Sequence, residues 1–177
     1  MRLEALRVLL ENREVLFPGV PVVFSDVSRE SVEGMRLPPD VTGAFVRTAD
    51  QRTVSVALDL HPEARRVVLV GGSSPQDKAS EVFARALVEK KAPGMEVFSL
   101  GGLDLDEQLL RLSQLRRDCV VIFVSYRADS QGRSMVARDV LRLVTRASGA
   151  PVYGASATWL GHGIVGGDLI HYEPYGE

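Results

Sequence analysis

The sequence predicts an α/β fold built on a doubly wound parallel sheet, and three observations predict it. The apolar runs VVLV (Val67 to Val70) and VVIFV (Val120 to Val124) are unbroken, as strands buried on both faces are. Segments of helical period separate such runs, and a parallel return between neighbouring strands needs a crossover of that kind. The alternation is regular from Arg65 onward, with turn residues at each change.

The elements follow in order. A helix from about Leu3 to Leu16 ends at Phe17, Pro18 and Gly19, and PVVF (Pro21 to Phe24) reads as a short buried strand with Ser25 and Asp26 at its end. A polar, proline-bearing stretch leads to the extended segment VTGAFV (Val41 to Val46). A helix from about Asp50 to Leu60 stops before Pro62. After VVLV, the residues Ala79, Val82, Phe83, Ala86 and Leu87 recur at i, i+3, i+4, i+7 and i+8, the spacing of one helix face. MEVFSL (Met95 to Leu100) precedes the helix LDEQLLRLSQLRR. CVVIFVS (Cys119 to Ser125) precedes a helix with Val136, Val140, Leu143, Val144 and Ala147 on one stripe. PVYGA and GIVGGDLIHY close the chain as short strands, enough to complete a five-stranded layer. The candidate boundary lies between Thr48 and Arg65.

The 177 residues are 45% apolar and 25% charged with net charge −2, the makeup of an ordinary globular domain. Lys and Arg are scattered, so there is no electrostatic footprint for nucleic acid. No apolar run approaches the roughly 18 to 20 residues that span a bilayer. The opening residues carry charges throughout and lack the apolar stretch of an export signal. Cys119 opens an apolar strand and reads as a small buried hydrophobe. His162 and His171 lie nine apart without Cys or acidic neighbours at ligand spacing, so no metal site is expected. His61 sits at a helix end, where a cation favours the dipole.

In open sheets of this kind ligands bind beyond the carboxyl ends of the strands, where strand order reverses. With the common order 2-1-3-4-5 from Arg65, the turns GGSSPQDK (Gly71 to Lys78) and SYRADSQGR (Ser125 to Arg133) flank that point. Ser73, Ser74, Gln76, Tyr126, Arg127 and Asp129 would then line one mouth, and Ser156, Thr158 and Trp159 would join from a third turn. A strand-to-helix turn presents unpaired N–H groups and a positive dipole end, which suits an anion or a polar ligand. Plainer roles stand beside these. Ser73 or Ser74 caps the helix with Pro75 in its first turn, Arg127 pairs with Asp129 on an exposed loop, and Trp159 plugs the sheet edge.

Enzymatic signatures are missing. GGSSPQDK is neither GxGxxG nor GxxxxGK[ST], and the second strand of the regular region ends in Leu100-Gly101-Gly102 without the acid that holds a ribose. There is no GxSxG elbow. No catalytic residue and no cofactor is therefore assigned.

Several stretches together resemble a known family. LFPGVPVVFSDV (Leu16 to Val27), VTGAF, LHPEARRVVLVGG (Leu60 to Gly72), VVIFVSYRADSQGR and APVYGASATWLGHGIVGGDL (Ala150 to Leu169) resemble the periplasmic-binding-protein-like sensor region of bacterial sensor histidine kinases. That region is similar in turn to uncharacterised substrate-binding proteins of ABC transporters. The resemblance implies Rossmann-like lobes of the type I periplasmic-binding-protein kind, with residues 1–48 as a remnant of the first lobe and its crossover, and 49–177 as the second lobe. It implies a small solute held in a cleft between lobes, with Ser25 and Asp26 approaching from the first. The parent protein would be membrane-anchored, with this segment on the extracytoplasmic side and any kinase activity elsewhere. A transport carrier of the same fold and a cytosolic α/β enzyme using the same turns are the alternatives. An uncovered strand edge would let two copies pair, so a homodimer is among the expected assemblies.

Overall fold

The computed structural model describes residues 3–29, 32–46 and 50–169, and it divides the chain into two compact units, one up to Thr48 and one from Ala49.

In the first unit, α1 (Leu3–Glu11) is followed by α2 (Arg13–Leu16) rather than continuing to Leu16 as one helix. The break falls at Asn12, whose Nδ2 donates to the Val8 carbonyl at 2.8 Å and so competes with the helical ladder. Arg13 is then held by the Asp40 carboxylate and by the Val20 carbonyl. β1 (Val22–Ser28) and β2 (Val41–Val46) pair in parallel. Leu6 of α1 closes a cluster with Val22, Phe24, Val27, Val32 and Val41. The expected short strand is longer than its apolar core. Register runs Phe24↔Gly43 and then Val27↔Phe45, so β1 carries one extra residue in a bulge between Phe24 and Val27. Ser25 and Asp26 therefore lie inside the strand at that bulge and not at its end.

The second unit holds β3 (Arg66–Gly71), β4 (Glu96–Ser99), β5 (Cys119–Ser125) and β6 (Val152–Gly154), all parallel in the order β4-β3-β5-β6. This is the start of a 2-1-3-4-5 order. In the place of the fifth strand, Gly166 makes a single parallel bridge to Tyr153, with Val165 N–H donating to Val152 at 2.8 Å. The two glycines at 166 and 167 weaken a strand at this edge, and residues beyond 169 lie outside those described.

Alternation along the strands feeds two cores. Val67, Leu69, Val120 and Ile122 face α3 (Asp50–Leu60) and α4 (Pro75–Lys91), packing on Val54, Ala57, Ala84 and Val88. Val68, Val70, Val121 and Phe123 face α5 (Leu105–Ser113) and α6 (Ala137–Ala147), packing on Leu112, Val140, Leu141 and Val144. The sheet is thus covered on both faces, and Cys119 is buried in it.

The inward face of α4 is not the expected one. Asp77, Ala84 and Val88 are buried, whereas Val82 is 69% exposed and Phe83 37%. A buried carboxylate in the first turn fixes the helix rotation, and the stripe read from apolar residues alone turns outward. In α6, Val140 and Val144 face inward as expected, with Leu141 replacing Leu143.

Candidate functional site

The turn after β3 and the loop after β5 are stitched together by backbone. Gly72 N–H donates to the Ser125 carbonyl and Ser73 N–H to the Ala128 carbonyl, both at 2.8 Å. Ser74 is the N-cap of α4: its Oγ accepts from Asp77 N–H at 3.1 Å, and the Asp77 carboxylate accepts from Ser74 N–H at 3.2 Å. This capping box satisfies two of the donors that a helix start leaves open. Pro75 occupies the first turn, where its missing N–H costs nothing.

Asp77 does more than cap. It is 1% exposed, and its oxygens also accept from Ser125 Oγ at 2.6 Å and from the N–H groups of Arg127 at 3.0 Å and Ala128 at 3.4 Å. Burial raises the pKa of such a carboxyl, but the donors of Ser125, Arg127 and Ser74 outweigh it and hold Asp77 below the ordinary carboxylate value. Gly72 makes room for this arrangement: a Cβ there would meet the Ala128 carbonyl oxygen and Asp77 Oδ2, each at 2.5 Å.

The loop after β5 has its own order. Asp129, 2% exposed, accepts from Gln131 N–H at 2.9 Å, Arg133 N–H at 2.8 Å and Arg133 Nε at 2.6 Å. Burial again opposes its ionisation, and the Arg133 and Gln131 donors lower its pKa regardless. Ala128 and Ser134 form an antiparallel bridge across the same loop.

These turns enclose an open pocket of about 480 Å³ at the carboxyl ends of β3, β4 and β5. Ser73, Ser74, Lys78, Gly102, Asp129 and Ser130 are among its lining residues. Ser73 Oγ is shielded from solvent and finds no hydrogen-bond partner among the described residues. A second pocket of about 490 Å³ lies at the opposite, amino ends of β3 and β4, lined by Arg65, Arg66 and Glu96 among others. Ligands of open α/β sheets occupy the carboxyl edge, and Arg66 is committed there to Glu96.

Of the residues expected at the mouth, the structure brings together Ser73, Ser74 and Asp129. Tyr126 is a correction. It is 1% exposed, stacks on Phe123 at 6.4 Å and belongs to the core under α5 and α6, because the chain turns inward directly after Ser125. Burial pushes its phenol pKa up. Gln108, also fully buried, donates to the carbonyls of Leu103 at 3.0 Å and Gly71 at 3.3 Å and to the Tyr126 hydroxyl at 3.4 Å. Arg127 is exposed, and the ion pair expected with Asp129 is made by Arg133 instead. Gln76 is exposed on α4 outside the pocket lining. Ser156 and Thr158 bond each other at 2.8 Å, and Trp159 packs edge-on against Phe123 at 5.0 Å, a structural role. Ser25 is exposed in the first unit, and the Asp26 side chain lies outside those described, as does His171.

The residues missed are Lys78, Ser130 and the backbone of Gly102 and Gly132 in the lining, and Asp77 behind it, bonded to Ser74 and Ala128. For Asp77 a signal was present: Ser74-Pro75-Gln76-Asp77 is the S-x-x-D pattern of a capping box. Among the described residues no three His, Cys, Asp or Glu side chains cluster as metal ligands would. No described helix is long and apolar enough to cross a membrane.

No family model and no curated protein matches the chain. The structure is similar to the crystal structure of a conserved domain protein from Vibrio cholerae, with a TM-score of 0.59 and 16% identity, over 99% of this chain and 58% of that one. At that identity the likeness concerns the fold alone. This chain spans 58% of the neighbour's length.

Proposed function

We propose that this chain is part of an extracytoplasmic module of the type I periplasmic-binding-protein kind, one that holds a small polar solute for sensing. The observation that carries the reading is the pocket of about 480 Å³ at the carboxyl edge of the sheet, lined by the hydroxyl-bearing Ser73, Ser74 and Ser130 and by Lys78. The pocket stands at the strand-order reversal between β3 and β5, and its walls are hydroxyls, backbone, one ammonium and the Asp129 carboxylate that Arg133 neutralises. The periplasmic and sensory part of the reading is supported by the resemblance of the sequence segments given above.

The test is a thermal-shift screen of the full chain against sugars, polyols, amides, amino acids and monocarboxylates, run beside Ser130→Trp, which fills the pocket. A solute at about a hundred times its Kd adds roughly 2.7 kcal/mol of stability, a rise of roughly 5–10 °C for a chain of this size. The reading predicts that at least one solute class produces such a rise in the wild type and none in Ser130→Trp. It fails if no class stabilises the wild type, or if the variant responds equally.

A further inference from the structure

We infer that Asp77 is a built-in anion that occupies the donors of the solute site, so that the pocket selects uncharged, oxygen-bearing solutes and rejects phosphate. The inference rests on the pocket reading above and names the solute class for it. A strand-to-helix turn at the carboxyl edge of an α/β sheet ordinarily leaves N–H groups for an oxyanion. Here the Asp77 carboxylate has taken them. It accepts from Ser74 N–H on its own helix, and from Arg127 N–H, Ala128 N–H and Ser125 Oγ on the facing loop. The Asp77 N–H of the first turn is itself capped by Ser74 Oγ.

The turn is moulded around this charge, since a Cβ at Gly72 would stand 2.5 Å from Asp77 Oδ2. The carboxylate of the lining, Asp129, is matched by Arg133. What lines the pocket is one ammonium, Lys78, with the hydroxyl-bearing Ser73, Ser74 and Ser130 and the Arg133-paired Asp129, while the buried Asp77 carboxylate holds the Ser74 and Ala128 N–H groups of that wall from behind. A phosphate, arriving with more than one negative charge, finds the Ser74, Arg127 and Ala128 N–H groups already bonded to a fixed carboxylate. A hydroxyl or carbonyl oxygen meets Lys78 and Ser130 without that repulsion. Asp77 is thus a positioning residue that sets specificity by excluding an anion from the place it fills.

The experiment is a thermal-shift titration of the full chain with inorganic phosphate, against sodium chloride at matched ionic strength and pH 7, on wild type, Asp77→Asn and Asp77→Ala. The wild type is expected to show no phosphate-specific rise. The variants are expected to gain one, with apparent phosphate affinity at least about tenfold above wild type, because one fixed negative charge a few ångströms away has been removed. Asp77→Asn keeps the shape of the side chain and supplies the readout if Asp77→Ala does not fold. A phosphate-specific rise in the wild type that Lys78→Ala removes would overturn the inference, as would folded variants that stay indifferent to phosphate. Failure of the pocket reading shows separately, as a wild type that no uncharged or carboxylate solute stabilises.

Discussion

Asp77 illustrates how one side chain ties two loops together. Its folded pKa lies below the ordinary 3.8, so the stability it contributes is complete above that value and is lost as pH falls through the folded pKa. In urea denaturation Asp77→Asn is expected to cost about 2–3 kcal/mol at pH 7, by leaving buried donors poorly paired. The cost should shrink as pH falls below 3.8 and through the folded pKa, where the wild-type carboxyl also protonates. A pH-independent loss would contradict the account. Tyr126 gives the complementary case. Tyr126→Ala should cost about 3–5 kcal/mol as a core truncation. Tyr126→Phe should cost under about 1 kcal/mol, because its hydroxyl meets only the distant Gln108 amide. The sequence shows that a tyrosine follows the strand but not that the chain turns inward there. Its place in the turn at the end of a strand put Tyr126 at the mouth, and its buried ring stacked on Phe123 decides otherwise.

At the scale of elements, the strand-to-helix turns were the most legible part. Ser74 and Pro75 mark the start of α4, and the apolar runs mark β3 and β5, because capping and double burial leave direct traces in residue type. What left no trace was long-range: the bulge that carries Ser25 and Asp26 into β1, and the rotation of α4 set by a buried acid. Both depend on partners tens of residues away. The close approach at Gly72 is of the same kind and is directly testable. Gly72→Ala should destabilise the chain by about 1–3 kcal/mol, since the added methyl must displace either the Ala128 carbonyl or the Asp77 carboxylate. Calorimetry would show it as a lowered Tm, and an unchanged Tm would mean that the turn does not fit its carboxylate closely.

At the scale of the whole chain, the two units differ in how their sheets are covered. The second unit sandwiches four parallel strands between two apolar clusters, whereas one cluster serves the two-stranded sheet of the first. Native-state hydrogen exchange should therefore find its slowest amides in β3 and β5, at Val67–Val70 and Val120–Phe123, with β1 and β2 opening at lower free energy. Equal protection of both sheets would contradict this. The α/β class and the parallel order were readable because each crossover helix is itself periodic. The solute is not readable, because its site is made of serine hydroxyls, backbone, one ammonium and a carboxylate already paired with Arg133. The most direct test of that site is an amide chemical-shift titration of the isotope-labelled full chain with the uncharged solutes of the screen. The account predicts shifts concentrated at Ser73, Ser74, Lys78, Gly102 and 128–132. Shifts centred on the pocket at the amino ends of β3 and β4, or none for any solute, would contradict it.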